Sequence, residues 1–409
     1  MDGARSAIET AARASYGRLI AYLSVRSRDV AIAEDALSEA FAAALRTWPE
    51  TGVPETPEAW LLTAARRVVG HDTRHQRVRH AALPAIELAY EEAMTRTSPE
   101  FPDDRLRLMF VCSHPEIDAG ARAPLMLQTV LGLDAARIAA AFLTSPSAMS
   151  QRLVRAKTRI RESGIAFETP AGNVLTERIA DVLSAIYAAY GVGWDAISGA
   201  DSGVRGLASE AMFLARLTAH LMPEQPEAKG LLALLLYCEA RTAARRDASG
   251  VLIPLTAQDY RLWSRDMIIE AEGLLTAASR FGVFGRFQTE AAIQSVHVQR
   301  AVTGITQVRA LVHLYDFLCS EHPSLGAMVS RAVVHADDGR PQEALVMLDE
   351  LPPQAVRTYQ PWWCARAHIL EHLGRADEAR ASLVSAIGLT EEPGQRIFLS
   401  RKLDAISGV

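Results

Sequence analysis

The chain has 409 residues, 49% of them hydrophobic and 22% charged, with a formal net charge of −5. That length holds two to four domains with real cores, and the negative balance excludes a protein that binds polyanions over its whole surface. The cysteines, Cys112, Cys238, Cys319 and Cys364, never fall in a CxxC spacing, which argues against a zinc or disulfide framework and for a reducing, cytoplasmic setting. Residues 1–16 contain Asp2 and Glu9 and lack the continuous apolar core of a signal peptide. The longest apolar run, 231–237, is far short of the ~20 residues that span a bilayer, so no membrane association is expected. Ala, Leu, Arg and Glu dominate and strand punctuation is sparse, so the expected fold class is all-α. Lysine occurs only at 157, 229 and 402, and the cationic clusters at 66–79 and 152–161 are built mainly from arginine.

Residues 1–80 read as three or four helices. The helix at 31–47 carries Ile32, Ala36, Ala40, Phe41 and Leu45 on its apolar side, with Glu34, Asp35, Ser38 and Glu39 on its polar side. A Pro-rich loop follows at 49–57. The next helix bears Trp60, Leu61, Ala64, Ala65 and Val68 and ends in Arg66, Arg67, His71, Arg74, Arg77 and Arg79. Residues 81–102, with Glu87, Glu91, Glu92 and Glu100, read as an acidic linker.

A second small helical domain is expected over 103–168, and residues 133–161 read as a helix-turn-helix. Asp134 can cap a short helix with Ile138, Ala139 and Phe142 on its apolar face, and Leu143-Thr144-Ser145 makes the turn. Ser145 is a good N-cap and Pro146 suits the first helical position. Met149, Leu153, Ala156 and Ile160 then share one stripe at the 3.6 period. The opposite arc holds Ser147, Gln151 and Arg155, flanked by Ala148 and Arg152. No acid lies between 145 and 161, whereas Arg152, Arg155, Lys157, Arg159 and Arg161 are cationic. A packed back with a small-polar-then-Arg front suits the major groove of DNA.

From about 174 to 409 the chain reads as helical, with turn signals at 191–206, 223–226, 247–254 and 281–287. Arg331-Ala332, Gly339-Arg340, Glu343-Ala344 and Leu348 recur as Arg366-Ala367, Gly374-Arg375, Glu378-Ala379 and Leu383, always 35 residues later. This is close to the tetratricopeptide period of about 34 residues and places tetratricopeptide-like repeats at about 325–390. Such a surface commonly binds a peptide or protein.

No nucleophile–base pair or carboxylate pair stands out, and Gly191-Val192-Gly193 and the 282–285 glycines do not follow a strand-then-helix pattern, so neither catalysis nor a phosphate-bound cofactor is expected. Cys364, His368 and His372 fall four residues apart on one helix. Within a repeat helix this reads as packing or surface, and no metal site is expected.

The order of an acidic helix, a Trp-bearing helix with a basic end and a helix-turn-helix resembles bacterial sigma factors of the extracytoplasmic-function (ECF) type. Further likeness lies in Asp103-Asp104-Arg105-Leu106-Arg107-Leu108, Cys112 and His114-Pro115, and in Arg245–Trp263 with Asp247, Gly250, Leu252, Gln258-Asp259 and Trp263. These resemble an ECF subgroup with a helical extension ending in tetratricopeptide-like repeats. The resemblance implies that Asp35, Ser38 and Glu39 dock on core RNA polymerase, Ser38 standing where the family usually has Gln. It implies that Trp60, Arg66, Arg67, His71, Arg74 and Arg77 serve promoter melting. Ser147, Ala148, Gln151, Arg152, Arg155 and Lys157 would then face the upstream promoter element, and Glu87, Glu91 and Glu92 would thread toward the polymerase cleft. The extension would regulate activity. A helix-turn-helix operator-binding regulator with a repeat sensor is the alternative, but it leaves 31–80 without a role.

Overall fold

The structure is a computed structural model that describes residues 2–72, 103–142, 144–194 and 207–407. The expected acidic linker, Leu143 of the expected turn, and Arg74, Arg77 and Arg79 lie outside the described residues. Among the described residues there is no β-strand, and a lone bridge pairs Arg246 with Leu252. The fold is all-α, as composition and periodicity led us to expect. The chain forms two compact units that divide after Leu214.

In the first unit, α1 (Asp2–Ser27) runs against α2 (Val30–Thr51), α3 (Pro57–Asp72), α4 (Arg105–Cys112) and α5 (Ala119–Leu131). The α1–α2 corner turns at Arg28, whose φ is 55°, and Asp29 then starts α2 by accepting the Ala31 and Ile32 N–H groups at 2.8 and 3.3 Å. Trp48 of α2 meets Trp60 of α3 edge to face, with ring centroids 5.5 Å apart, and both rings are fully buried. At Gly17, α1 passes close against α5: a Cβ there would run into the Val130 carbonyl. Gly132 ends α5 at φ 71° beneath the Tyr16 ring. The two segments expected as separate small domains therefore pack side by side around α1.

Helix α6 (Ala135–Ala141) is capped by Asp134, which accepts the Arg137 N–H at 2.8 Å. Helix α7 (Pro146–Glu162) is capped by Ser145, which accepts the Ala148 N–H at 3.1 Å. Helix α8 (Gly172–Trp194) packs on α4 and α5. There Arg122 pairs with Asp181 at 2.6 Å, and Arg178 donates to the Phe110 carbonyl. This packing explains why the compact division falls later than 174.

Helix α9 (Leu207–Leu221) leads into α10 (Pro226–Glu239), the core of the second unit. The run 231–237 is buried all round between α11 (Arg265–Ser279) and α12 (Arg286–Thr303), which accounts for its continuous apolarity. Glu227 accepts the Phe287 and Gln288 N–H groups at 2.9 and 3.0 Å and so caps α12. The segment between α10 and α11 folds into 3-10 turns, and Arg300 holds it by donating to the Leu255 and Thr256 carbonyls.

Beyond α13 (Val308–Glu321) come two helical hairpins. The first joins α14 (Leu325–Asp337) to α15 (Pro341–Asp349). After the single turn α16 (Pro353–Val356), the second joins α17 (Gln360–His372) to α18 (Ala376–Gly388), and α19 (Pro393–Ser407) follows. Gly339 and Gly374 turn the hairpins at φ 86° and 69°. Ala332 and Ala367, Ala344 and Ala379, and Leu348 and Leu383 are buried in matching places, so the offset of 35 residues corresponds to a repeated packing unit.

Candidate functional site

Helix α2 buries Ala33, Ala36, Leu37, Ala40, Ala43, Ala44 and Trp48. The 3.6 period then leaves Asp35, Ser38 and Glu39 in solvent, and all three are exposed. Together they make an acidic face on a rigid helix.

Glu34 does not belong to that face. It lies at the margin of the buried stripe, between Ala33 and Leu37, where it reaches α7 and pairs with Lys157 at 2.5 Å. Burial pushes the Glu34 carboxyl up, and Lys157 offsets only part of that effect. Glu34 in turn adds to the effect of burial on Tyr16, whose hydroxyl is held well above its ordinary range. Sequence reading grouped Glu34 with the solvent-facing acids; its place beside Leu37 was the available signal for the core margin.

On α3, Arg66 is exposed and Arg67 is half-buried. Trp60 is a correction. Its ring is fully buried against Trp48 and offers no face to an unstacked base in this arrangement. The reason is register: Trp60 falls in the run with Ala59, Leu61, Ala64 and Ala65, all of which are core residues. The His71 side chain, Arg74 and Arg77 lie outside what the structure describes.

Helix α7 buries Met149, Leu153, Ala156 and Ile160, the stripe expected from periodicity. Ser147, Ala148, Gln151 and Arg155 are exposed on the opposite arc. Arg152 is half-buried and donates to the Gly120 carbonyl at 3.4 Å, while Arg159 pairs with Glu116. Lys157 departs from the expected surface. It lies four residues after Leu153 and one after Ala156, at the edge of the buried stripe, and its ammonium is engaged by Glu34. The first unit thus carries an acidic patch on α2, a basic end on α3 and a capped helix whose outer arc has no acid before Glu162 in its last turn.

Comparison with known proteins agrees with part of this picture. Residues 12–79 match the family model described as Sigma-70 region 2. Residues 178–279 match a family of unknown function (DUF6596). An uncharacterized protein of Rhizobium meliloti (strain 1021), R00370, is 36% identical over 408 residues, covering 98% of this chain and 95% of that protein. No solved structure matches the chain. Among the described residues, no helix is long and apolar enough to cross a membrane. A sigma-70 region 2 domain implies partnership with core RNA polymerase and promoter DNA, in a family of non-enzymatic transcription factors. The chain belongs to the same family as the Rhizobium meliloti protein, and residues 12–79 carry a Sigma-70 region 2 domain, which supports its placement among sigma factors.

Proposed function

We propose that the chain is an ECF-type sigma factor acting in the cytoplasm, with a tetratricopeptide-like extension that regulates its activity. Region 2 spans 1–80, the acidic linker 81–102, region 4 103–168 and the extension 174–409. Asp35, Ser38 and Glu39 bind core RNA polymerase. Arg66 and Arg67, with His71, Arg74 and Arg77, hold the opened strand through its phosphates. Ser147, Ala148, Gln151 and Arg155 face the upstream promoter element, with Arg152 beside them. Trp60 serves the fold rather than the DNA, and Lys157 is a phosphate contact only where its pairing with Glu34 is given up. The two hairpins from 325 to 388 form the repeat surface, whose partner is a protein or peptide.

The observation that carries the reading is the joint exposure of Asp35, Ser38 and Glu39 within the segment matching Sigma-70 region 2. These side chains are not needed for the α2 core, so their chemistry is available to a partner. The test is binding of the purified full chain to core RNA polymerase, beside the Asp35→Lys/Glu39→Lys variant. The wild type should bind and the variant should not, with helical content unchanged in both. Failure of the wild type to bind, together with tight specific DNA binding in the absence of polymerase, would overturn the reading in favour of an operator-binding regulator.

A further inference from the structure

The two hairpins bring together three donor groups that lie apart in sequence. Asp337 is the last residue of α14, and His368 and His372 lie one turn apart at the end of α17. His368 Nε2 is 2.8 Å from Asp337 Oδ1, and His372 Nε2 is 3.6 Å from the same oxygen. All three ligand atoms fall within 4.8 Å of one another. The imidazole rings meet edge to face with centroids 4.6 Å apart. A tetrahedral ion with metal–nitrogen bonds of about 2.0–2.1 Å needs donor atoms roughly 3.3 Å apart. The observed spacing brackets that value and is reached by small side-chain rotations.

The supports are rigid. Helices α14 and α17 share one apolar cluster that contains Ala332, Ala336, Ala365 and Ile369. The side chains themselves are 38%, 32% and 40% exposed for Asp337, His368 and His372, so an ion can enter from solvent. A second His–Asp pair in the same unit provides the contrast. His335 meets Asp316 at 2.9 Å, but it is buried and its companion is Arg331, a cation with no ligand capacity. There the ion pair is Arg331–Asp316 with His335 hydrogen-bonded to the same carboxylate, whereas the Asp337 group gathers three ligand side chains. Cys364, one turn earlier on α17, is not a fourth donor. Its sulfur accepts from Gln360 at 3.2 Å, and burial pushes its thiol up to about 11.

We propose that Asp337, His368 and His372 bind one divalent transition-metal ion, Zn²⁺ by its preference for nitrogen and oxygen donors in a small cage. The ion would staple the first hairpin to the second and leave a coordination position open to water or an incoming donor. The inference does not depend on the sigma assignment, because all three residues lie in the second unit.

The test is calorimetric titration of the chelator-treated full chain with ZnCl₂, repeated for His368→Ala/His372→Ala and for Asp337→Asn. One equivalent should bind the wild type. The double variant should lose that equivalent, and Asp337→Asn, which replaces a ligating carboxylate with a neutral amide, should weaken it. Because the residues are exposed, circular dichroism should show the variants folded. In the wild type alone, Zn²⁺ should raise the melting temperature. Absence of a Zn²⁺ equivalent in the wild type, or an equivalent that survives unchanged in the double variant, overturns the proposal.

Discussion

Lys157 of α7 and Glu34 of α2 form an ion pair of 2.5 Å that joins two segments 123 residues apart, and neither side chain is more than 18% exposed. Removing one partner from such a pair costs more than the pair contributes, because the remaining charge stays desolvated. A buried pair broken in this way typically loses about 3–5 kcal/mol. Glu34 has an escape, since burial already raises its pKa and lets it protonate. Lys157→Met should therefore destabilise the chain by roughly 2–3 kcal/mol at pH 7, below that range because Glu34 can protonate. Lys157→Met/Glu34→Leu should recover most of the loss. The protonated form of Glu34 is the one favoured by the fold, so its contribution is full below the ordinary Glu pKa and is lost as pH rises through the raised folded value. The deficit of Lys157→Met relative to wild type should accordingly shrink on acidification. Urea midpoints at pH 7 and near pH 4 measure both effects.

Gly17 permits the approach of α1 to α5. In an isolated helix Ala is favoured over Gly by about 1 kcal/mol. Here the added Cβ meets the Val130 carbonyl, a backbone atom with no flexible end to move aside. Forced overpacking costs about 1–3 kcal/mol, so the steric effect wins and Gly17→Ala should destabilise the first unit. Gly52 ends α2 with open space around it but at φ 90° and ψ 159°, a region essentially reserved for glycine, and its replacement by Ala should cost backbone strain of about 1–3 kcal/mol with no steric clash. A thermal melt in which Gly17→Ala matches or exceeds wild type would refute the close packing.

Local features of this fold were readable because local chemistry decides them. Ser145, Pro146 and the stripe Met149, Leu153, Ala156 and Ile160 determine where α7 starts and which face it buries, and the spacing of Gly339 and Gly374 marks both hairpin turns. Features that depend on a distant partner were not readable. The position of Lys157 at the stripe edge is local, but its engagement depends on where α2 passes. Trp60 has the same amphipathic context as a surface aromatic until Trp48 is placed against it. The line of Cys364, His368 and His372 pointed along one helix, whereas the donor that completes the group, Asp337, comes from the preceding hairpin.

Glu392 holds the start of α19. Burial pushes its carboxyl up, but the N–H groups of Gly394 and Gln395 and the Arg246 guanidinium outweigh that and hold it below its ordinary range. A depressed carboxylate contributes stability above its unfolded pKa and loses it as pH falls through the folded value. Glu392→Gln should cost about 1–2 kcal/mol at pH 7, the range of a lost cap with a charge-assisted bond. The difference from wild type should shrink as pH falls below the ordinary Glu range and through the depressed folded value. A difference independent of pH would show that shape rather than charge holds this turn.

The exposed arc of α7 allows a sharper test of promoter reading. Gln151 and Arg155 carry no packing duty, so substituting them should leave stability within about 0.5 kcal/mol. Loss of a base contact costs about 1–3 kcal/mol and relaxes specificity at one position, whereas loss of a phosphate contact weakens all sequences alike. Gln151→Ala should follow the first pattern in transcription by the reconstituted polymerase from promoters mapped for the wild type, and Arg155→Ala one of the two. If both variants keep full activity and discrimination, the upstream element is read elsewhere.

Trp60 and Arg66 are six residues apart on α3, and their burial separates their roles. Trp60 is wholly enclosed and meets Trp48 at 5.5 Å, whereas Arg66 projects into solvent. Truncating a buried Trp to Ala costs about 3–5 kcal/mol, so Trp60→Ala should lose promoter opening through loss of fold and shift the urea midpoint in step. Trp60→Phe keeps an aromatic ring in the core and should retain both fold and opening. Arg66→Ala should do the reverse of Trp60→Ala, leaving the midpoint unchanged while reducing opening through a lost phosphate contact, most visibly at higher salt. Permanganate footprinting of the promoter beside equilibrium unfolding of each variant separates these outcomes. If Trp60→Phe proves fully stable yet fails to open the promoter, Trp60 leaves the core to meet a base, and its burial describes only the free protein.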